Sequence, residues 1–258
     1  MDLVDIAENA FGLLSPTPLI EREVRGDLIL VDQDGPVQFR MALRNRFEAA
    51  AVDERIAEVR SWFAERGRDD FTWMVGTRST PADLGERLVE HGAAREADGQ
   101  EVVAMVLTEE PAAVAGVELR VVETFEDALV SRGLLASAFG IPPELVTSDE
   151  ELSRSWRETQ ADGAARTFLA FVDGTAVGRA TCVATEPGPL QLLGGSVMPA
   201  YRGRGVYRAL VRARWDEAVR RGTPALVTQA GRMSKPILER LGFRQVGRVQ
   251  MLVDRTGR

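Results

Sequence analysis

The stretch from Leu190 to Arg221 constrains this chain more than any other. Leu190–Met198 is a long apolar run that stops at Pro199, and Arg204–Arg221 has the periodicity of an amphipathic helix. Between them lies Tyr201-Arg202-Gly203-Arg204-Gly205, so a strand passes through a glycine turn directly into a helix. Glycines let the chain bend tightly and bring backbone N–H groups close to a ligand. The first N–H groups of a helix have no internal partners and lie at its positive end, where they attract phosphate. Arg202, Arg204 and Arg208 add charge nearby. These are the parts of a pyrophosphate cradle, although a plain strand–turn–helix with solvent-facing arginines has the same local pattern. Placement between an apolar strand and a long helix favours the cradle. A dinucleotide fingerprint would need three spaced glycines early in a βαβ unit, and a P-loop would need Gly-Lys-Ser/Thr; neither is present.

The remaining patterns fill two halves of a 258-residue chain. In the first, a helix is expected over Leu3–Leu14, a strand over Asp27–Asp32, a turn at Gln33-Asp34-Gly35-Pro36 and a strand within Gln38–Phe47. Ile56, Val59, Trp62 and Phe63 recur at helical spacing in Asp53–Arg66, which ends at Gly67. Phe71–Val75 reads as a strand. Ser79-Thr80-Pro81 reads as the start of a helix over Ala82–Glu90 that stops at Gly92, and Val102–Leu107 as a further strand. The Pro/Ala/Gly-rich stretch Glu110–Gly116 is the expected linker.

The second half is expected to open with a strand over Glu118–Val122 and a helix within Phe125–Phe139, broken at Pro142-Pro143, then a helix near Glu150–Gln160. Thr167–Val172 and Thr175–Ala184 flank Asp173-Gly174, the clearest hairpin in the chain. Ala225–Gln229, Ser234–Leu241 and Gln245–Val253 follow as strand, helix and one or two strands. Leu88–Ala93 echoes Leu238–Phe243: each ends a short helix at glycine before an apolar run.

Charge divides the same way. Residues 1–116 carry 12 basic and 23 acidic side chains, and residues 117–258 carry 20 basic and 16 acidic. The overall charge of −7 argues against non-specific nucleic-acid binding, while a basic second half suits a smaller polyanion. One cysteine, Cys182, excludes an internal disulfide framework and fits a reducing cytoplasm. One histidine, His91, leaves almost no material for a zinc site or a Ser-His-Asp triad, so no metal is expected. No apolar run is long enough to span a membrane, and the acidic first residues are wrong for a secretory signal.

With these residues in view, residues 117–258 resemble the GNAT superfamily of N-acetyltransferases. The family's Arg/Gln-x-x-Gly-x-Gly/Ala signature falls on Arg202 to Tyr207, its Val-x-Pro on Val197-Met198-Pro199 and its late Gly-Phe on Gly242-Phe243. The first half resembles the same family more faintly, through Phe71–Gly76 and Pro81–Gly92, and has no Arg-x-x-Gly-x-Gly element. The resemblance implies an α/β (mixed α+β) fold of two GNAT-like domains, each a mixed, mostly antiparallel sheet flanked by helices. A degenerate domain would cover 1–112 and an acetyl-CoA-binding domain 117–258. It implies a sheet splayed near Val197, with Gly203, Arg204, Gly205, Val206, Tyr207 and Arg208 holding the pyrophosphate through backbone N–H groups. Val197 and Met198 would pair with the pantetheine and polarise the thioester.

By the same resemblance the chain moves an acetyl group from acetyl-CoA to an amine of a small molecule or peptide. The acidic first half suits a cationic acceptor; a homodimer is left open, and neither nucleic acid nor membrane is expected as a partner. Three positions depart from the family: Tyr207 stands where a small residue is preferred, Leu238 where a proton-donating Tyr is common, and Gln191 where a Glu is common. Ser234 and Tyr207 are the replacement candidates for catalysis. Each has a plainer reading: Ser234 as a helix N-cap and Tyr207 as packing under its helix. Cys182 reads as a small buried apolar residue and His91 as a helix C-terminal residue. A CoA-binding sensor or scaffold without catalysis, and an enzyme for another acyl-CoA, remain the rival readings.

Overall fold

The computed structural model describes residues 2–14, 20–33, 39–95, 101–186 and 188–256. The expected turn at Gln33-Asp34-Gly35-Pro36 lies, apart from Gln33, outside them. The chain divides into two compact units. The first holds 1–105, 229–239 and 244–258, and the second holds 106–228 and 240–243.

The first unit is built from α1 (Leu3–Asn9), β1 (Ile20–Val24), β2 (Ile29–Gln33), β3 (Phe39–Leu43), α2 (Val52–Ala64), β4 (Asp70–Gly76), α3 (Leu84–Glu90), β5 (Ala94–Arg95) and β6 (Glu101–Leu107). The expected first helix is shorter, because a 3-10 turn takes over at Ala10–Leu13. Gly12 permits that turn to press on β2: a Cβ there would come within 2.8 Å of Ile29 Cγ2. β1–β2–β3 is an antiparallel meander, and β3 pairs parallel with β4 through Met41↔Thr72 and Ala42↔Trp73. The apolar stripe of α2 (Val52, Ile56, Val59, Trp62, Phe63) covers this sheet, with Phe63 stacked on Phe71 at a centroid distance of 4.3 Å. Neither Ser79 nor Thr80 caps α3: the Ser79 hydroxyl accepts from Gly76 N–H at 3.0 Å, the Thr80 hydroxyl donates to Phe47 O at 3.2 Å, and the helix begins at Leu84 after Asp83.

The second unit contains β7 (Glu118–Val121), α4 (Phe125–Phe139), α5 (Pro143–Val146), α6 (Asp149–Asp162), β8 (Ala165–Val172), β9 (Thr175–Ala184), β10 (Leu190–Val197), α7 (Val206–Arg220) and the start of β11 (Leu226–Ala230). A capping box opens α4, with Thr124 and Asp127 each accepting from the other's backbone N–H. β7, β8, β9 and β10 pair antiparallel in sequence order, and β10 pairs parallel with β11. The β8–β9 turn is as expected, with Asp173 at φ 49° and Gly174 at φ 76°. Val122, Ala128, Leu134 and Leu169 form a core under α4, and Trp156 of α6 packs against it.

The last elements are α8 (Lys235–Glu239) and β12 (Arg244–Arg255). The sequence reading left Gln245–Val253 in the second half, but the structure puts this strand in the first unit. β12 is one continuous strand antiparallel to β4, from Val249↔Gly76 to Arg255↔Asp70. Buried Asp254 ties it down, accepting from Arg60 at 3.0 Å and from Trp73 Nε1 at 2.8 Å. Gly85 lies where a Cβ would meet Gln250 Oε1 at 2.6 Å, so α3 packs closely on β12. The echoed pair behaves alike: Gly92 and Gly242 both have positive φ, 96° and 94°, and the next residues, Ala93 and Phe243, are both buried.

Candidate active site at the end of β10

β10 loses its partner on one edge partway along its length. Pairing with β11 is seen at Leu190↔Leu226 and Gln191↔Val227, whereas pairing with β9 continues to Val197↔Gly178. Between Leu193 and Ser196 the β9 register shifts by one residue, which marks a bulge at Gly194-Gly195. Gly194 has φ 49° there. Its carbonyl accepts from Arg179 Nη1 at 2.6 Å. The expected splay of the sheet is therefore a bulge followed by a strand held on its β9 edge.

The bulge sets which backbone groups face the open edge. Met198 N–H donates to Val177 O at 2.8 Å, and Met198 O accepts from Tyr201 N–H at 2.9 Å, so both backbone groups of Met198 are engaged within the unit. In an antiparallel ladder, pairs that exchange backbone bonds alternate with pairs that do not. Val197↔Gly178 is the non-exchanging pair, and Val197 N–H and C=O point away from β9. Val197 and Met198 thus turn their backbone groups to opposite edges of β10. Val197 O also accepts from Arg202 Nε at 3.3 Å, which turns Arg202 back onto the strand.

A 3-10 turn at Pro199–Tyr201 leads to the glycines. Gly203 and Gly205 have φ 77° and 81°, and Gly205 caps α7 without any side-chain hydrogen bond. The N–H groups of the first turn are thus offered outward. A Cβ on Gly203 would meet nothing within 4 Å, while one on Gly205 would come within 2.9 Å of Val114 Cγ1. Arg204 and Arg208 are exposed, Arg204 lying over the Tyr201 ring at 5.2 Å. Val206 is buried under the helix.

Tyr207 packs inward. A Cβ on Gly195 would come within 2.9 Å of its Cε2, so the bulge glycine makes room for the ring where the family prefers a small residue. Its hydroxyl makes no hydrogen bond among the described residues. The guanidinium of Arg214, itself 1% exposed, lies 5.7 Å from the ring centroid; Arg214 Nε donates to Leu210 O at 3.0 Å. Gln191 is also 1% exposed, and its Oε1 has no partner among the described residues. Ser234 lies in the 229–239 segment of the first unit, where its hydroxyl donates to Gly231 O at 3.3 Å.

The other singled-out residues have structural places. Cys182 is buried, and burial pushes its thiol up to about 11, so it is protonated at neutral pH. His91 caps the C-terminus of α3, its Nε2 3.1 Å from Asp53 Oδ1. Arg179 is a residue the sequence reading missed. Its guanidinium donates to Ser131 Oγ (3.0 Å), Gly194 O (2.6 Å) and Thr181 Oγ1 (2.6 Å). Burial, reinforced by Arg214, pulls it down to about 10. Two glycines inside an apolar strand were the available signal for this bulge.

Comparison with known proteins bears on the fold and on residues 133–243. Residues 133–243 match the family described as Acetyltransferase (GNAT) family. A GCN5-related N-acetyltransferase from Kribbella flavida is 18% identical and superposes with a TM-score of 0.71, over 98% of this chain and 95% of its own. A tandem GNAT protein from the clavulanic acid biosynthesis pathway, without AcCoA, is 16% identical with a TM-score of 0.65, over 99% and 88% of the two chains. A GCN5-related N-acetyltransferase from Sphaerobacter thermophilus is 18% identical with a TM-score of 0.61, over 91% and 82%. No curated protein matches the sequence. No helix among the described residues is long and apolar enough to cross a membrane. Residues 133–243 thus match the acetyltransferase (GNAT) family, and the chain as a whole has the mixed α/β fold of the solved GNAT structures it resembles.

Proposed function

We propose that the second unit binds acetyl-CoA and that the chain is a tandem GNAT N-acetyltransferase acting on a primary amine of a small molecule or peptide. The observation that carries this reading is the pairing of two features: α7 starts at Gly205 with no side-chain cap, and the strand leading to it turns the Val197 N–H toward an edge without a strand partner. The donor set fits the group. Uncapped N–H groups at the positive end of a 15-residue helix suit a pyrophosphate, with Arg204 and Arg208 exposed beside them. The open space over Gly203 leaves room for it.

Acetyl-CoA supplies an activated acyl carbon and a thiolate leaving group. The acceptor nitrogen bonds to that carbon, the C–S bond breaks, and the ammonium proton passes to a base. Val197 N–H would donate to the acyl oxygen, where negative charge develops. Gln191 cannot take up a proton, so the amine's proton goes to solvent and positioning supplies much of the rate. Of the two candidate donors for the thiolate, we assign Tyr207, whose hydroxyl has no hydrogen bond among the described residues, over Ser234, whose hydroxyl serves Gly231. The acidic first half favours a cationic acceptor.

The test is calorimetric titration of acetyl-CoA into the wild type and Gly203→Asp, followed by an amine panel. Gly203 is a better probe than Gly205, where Val114 would confuse lost binding with lost packing. Asp tolerates a left-handed backbone and places a negative charge at the turn. Wild-type binding that is lost in the folded variant supports the cofactor site; equal binding, or none in either protein, overturns it. Binding without turnover across the panel would support the sensor or scaffold reading instead.

A further inference from the structure

Arg179 is a partly buried cation whose hydrogen bonds go to two hydroxyls and one carbonyl, with no carboxylate among them. A charge drawn partly out of water is costly unless its surroundings use it. Cation and bulge are fitted to each other. A side chain on Gly194 would collide with Arg179 Nη1, and the Gly194 carbonyl that Nη1 holds is the one displaced by the extra residue. Ser131 of α4 and Thr181 of β9 fix the other two corners of the guanidinium, so the bulge is anchored to a helix and to a neighbouring strand.

We infer that Arg179 is a positioning residue for the acyl group. By holding Gly194 O it fixes the one-residue shift, and the shift fixes which edge of β10 presents the Val197 N–H. A guanidinium can hold three acceptors at once because its donors form a rigid planar fork; an ammonium cannot span the same points. A hydrogen bond to the Gly194 carbonyl also polarises the peptide that ends in Gly195 N–H, strengthening the donor on its other side. The pyrophosphate turn at Gly203–Gly205 lies beyond Val197 and does not depend on Arg179. This inference rests on the acetyl-CoA reading above and adds a residue to it.

The experiment compares acetyl-CoA with CoA as ligands of wild type, Arg179→Lys and Ser131→Ala, by calorimetry. CoA shares the pyrophosphate and pantetheine and lacks the acyl oxygen. The expected result is acetyl-CoA affinity about five- to tenfold weaker in Arg179→Lys and about two- to threefold weaker in Ser131→Ala, with CoA affinity changed less than twofold in each. Ser131→Ala removes a single acceptor and preserves the guanidinium, so it decides the matter should Arg179→Lys fail to fold. Equal loss of both ligands, or loss of neither, overturns the positioning role while leaving the cofactor site standing. Absence of binding of either ligand by the wild type overturns the cofactor reading and this inference with it.

Discussion

The ring of Tyr207 lies so close to Gly195 that a single added methyl group would reach within 2.9 Å of its Cε2. The departure from the family at position 207 is thus matched by a glycine across the gap, and the two residues form one steric unit. Gly195→Ala should overpack this contact and lower stability by about 1–3 kcal/mol. Combining it with Tyr207→Ala should recover part of that loss. Urea unfolding of the single and double variants measures the coupling, and simple additivity would show that the contact carries no strain.

The carboxylate of Asp254 is buried and accepts from Arg60 and from the indole of Trp73. Asp254→Leu leaves the Trp73 indole without a partner and Arg60 with only the His91 carbonyl, and should cost about 3–5 kcal/mol. The change should appear first in Trp73 fluorescence. Unchanged stability would mean that β12 is held by its backbone ladder alone.

Below pH 5 the Arg25–Glu58–Arg55 cluster should govern part of the acid response. The bond from Arg55 to Glu58, assisted by Arg25, holds this carboxyl below its ordinary range, and Arg25 does the same for Glu23. A lowered folded-state value means that the stabilisation is complete above the ordinary carboxylate value. It is lost as pH falls through the lowered one, below the ordinary carboxylate range. Glu58→Gln should flatten that limb of the pH–stability curve and leave its shape above pH 6 unaltered; an unchanged acid limb would remove the cluster from the account.

Cys182 should be silent toward thiol reagents in the folded protein at pH 8, because burial keeps it protonated and out of reach. It should react fully in denaturant. Rapid modification of the native protein would show that the β8–β9–β10 face opens.

Where a feature is local, the amino-acid order announces it. Asp173-Gly174 can hardly be anything but a two-residue turn, and the strand–glycine–helix passage at 190–221 marks the candidate site by its local pattern alone. Features that depend on a distant partner are silent. β1 (Ile-Glu-Arg-Glu-Val) hides its strand character behind charged residues. β12 advertises a strand and says nothing of which neighbour it will choose. That Met198 N–H goes to Val177 O while Val197 N–H faces the other edge is equally silent in the sequence, because adjacent residues of a strand turn their N–H groups to opposite edges and the bulge decides which. Arg179 was overlooked because, in a hairpin strand, a polar residue alternating with apolar ones looks like a surface residue.

The bond between Trp73 and Asp254 spans 181 residues of sequence. On a ribosome, β4 emerges long before the strand that will lie against it, and the entire family domain must be made in between. For that interval the β4 edge is unpaired, the condition that invites wrong partners. A fragment ending at the linker would therefore carry β4 without β12, the strand that lies against it. What looks like a duplication is, in its wiring, a single gene's commitment to staying whole.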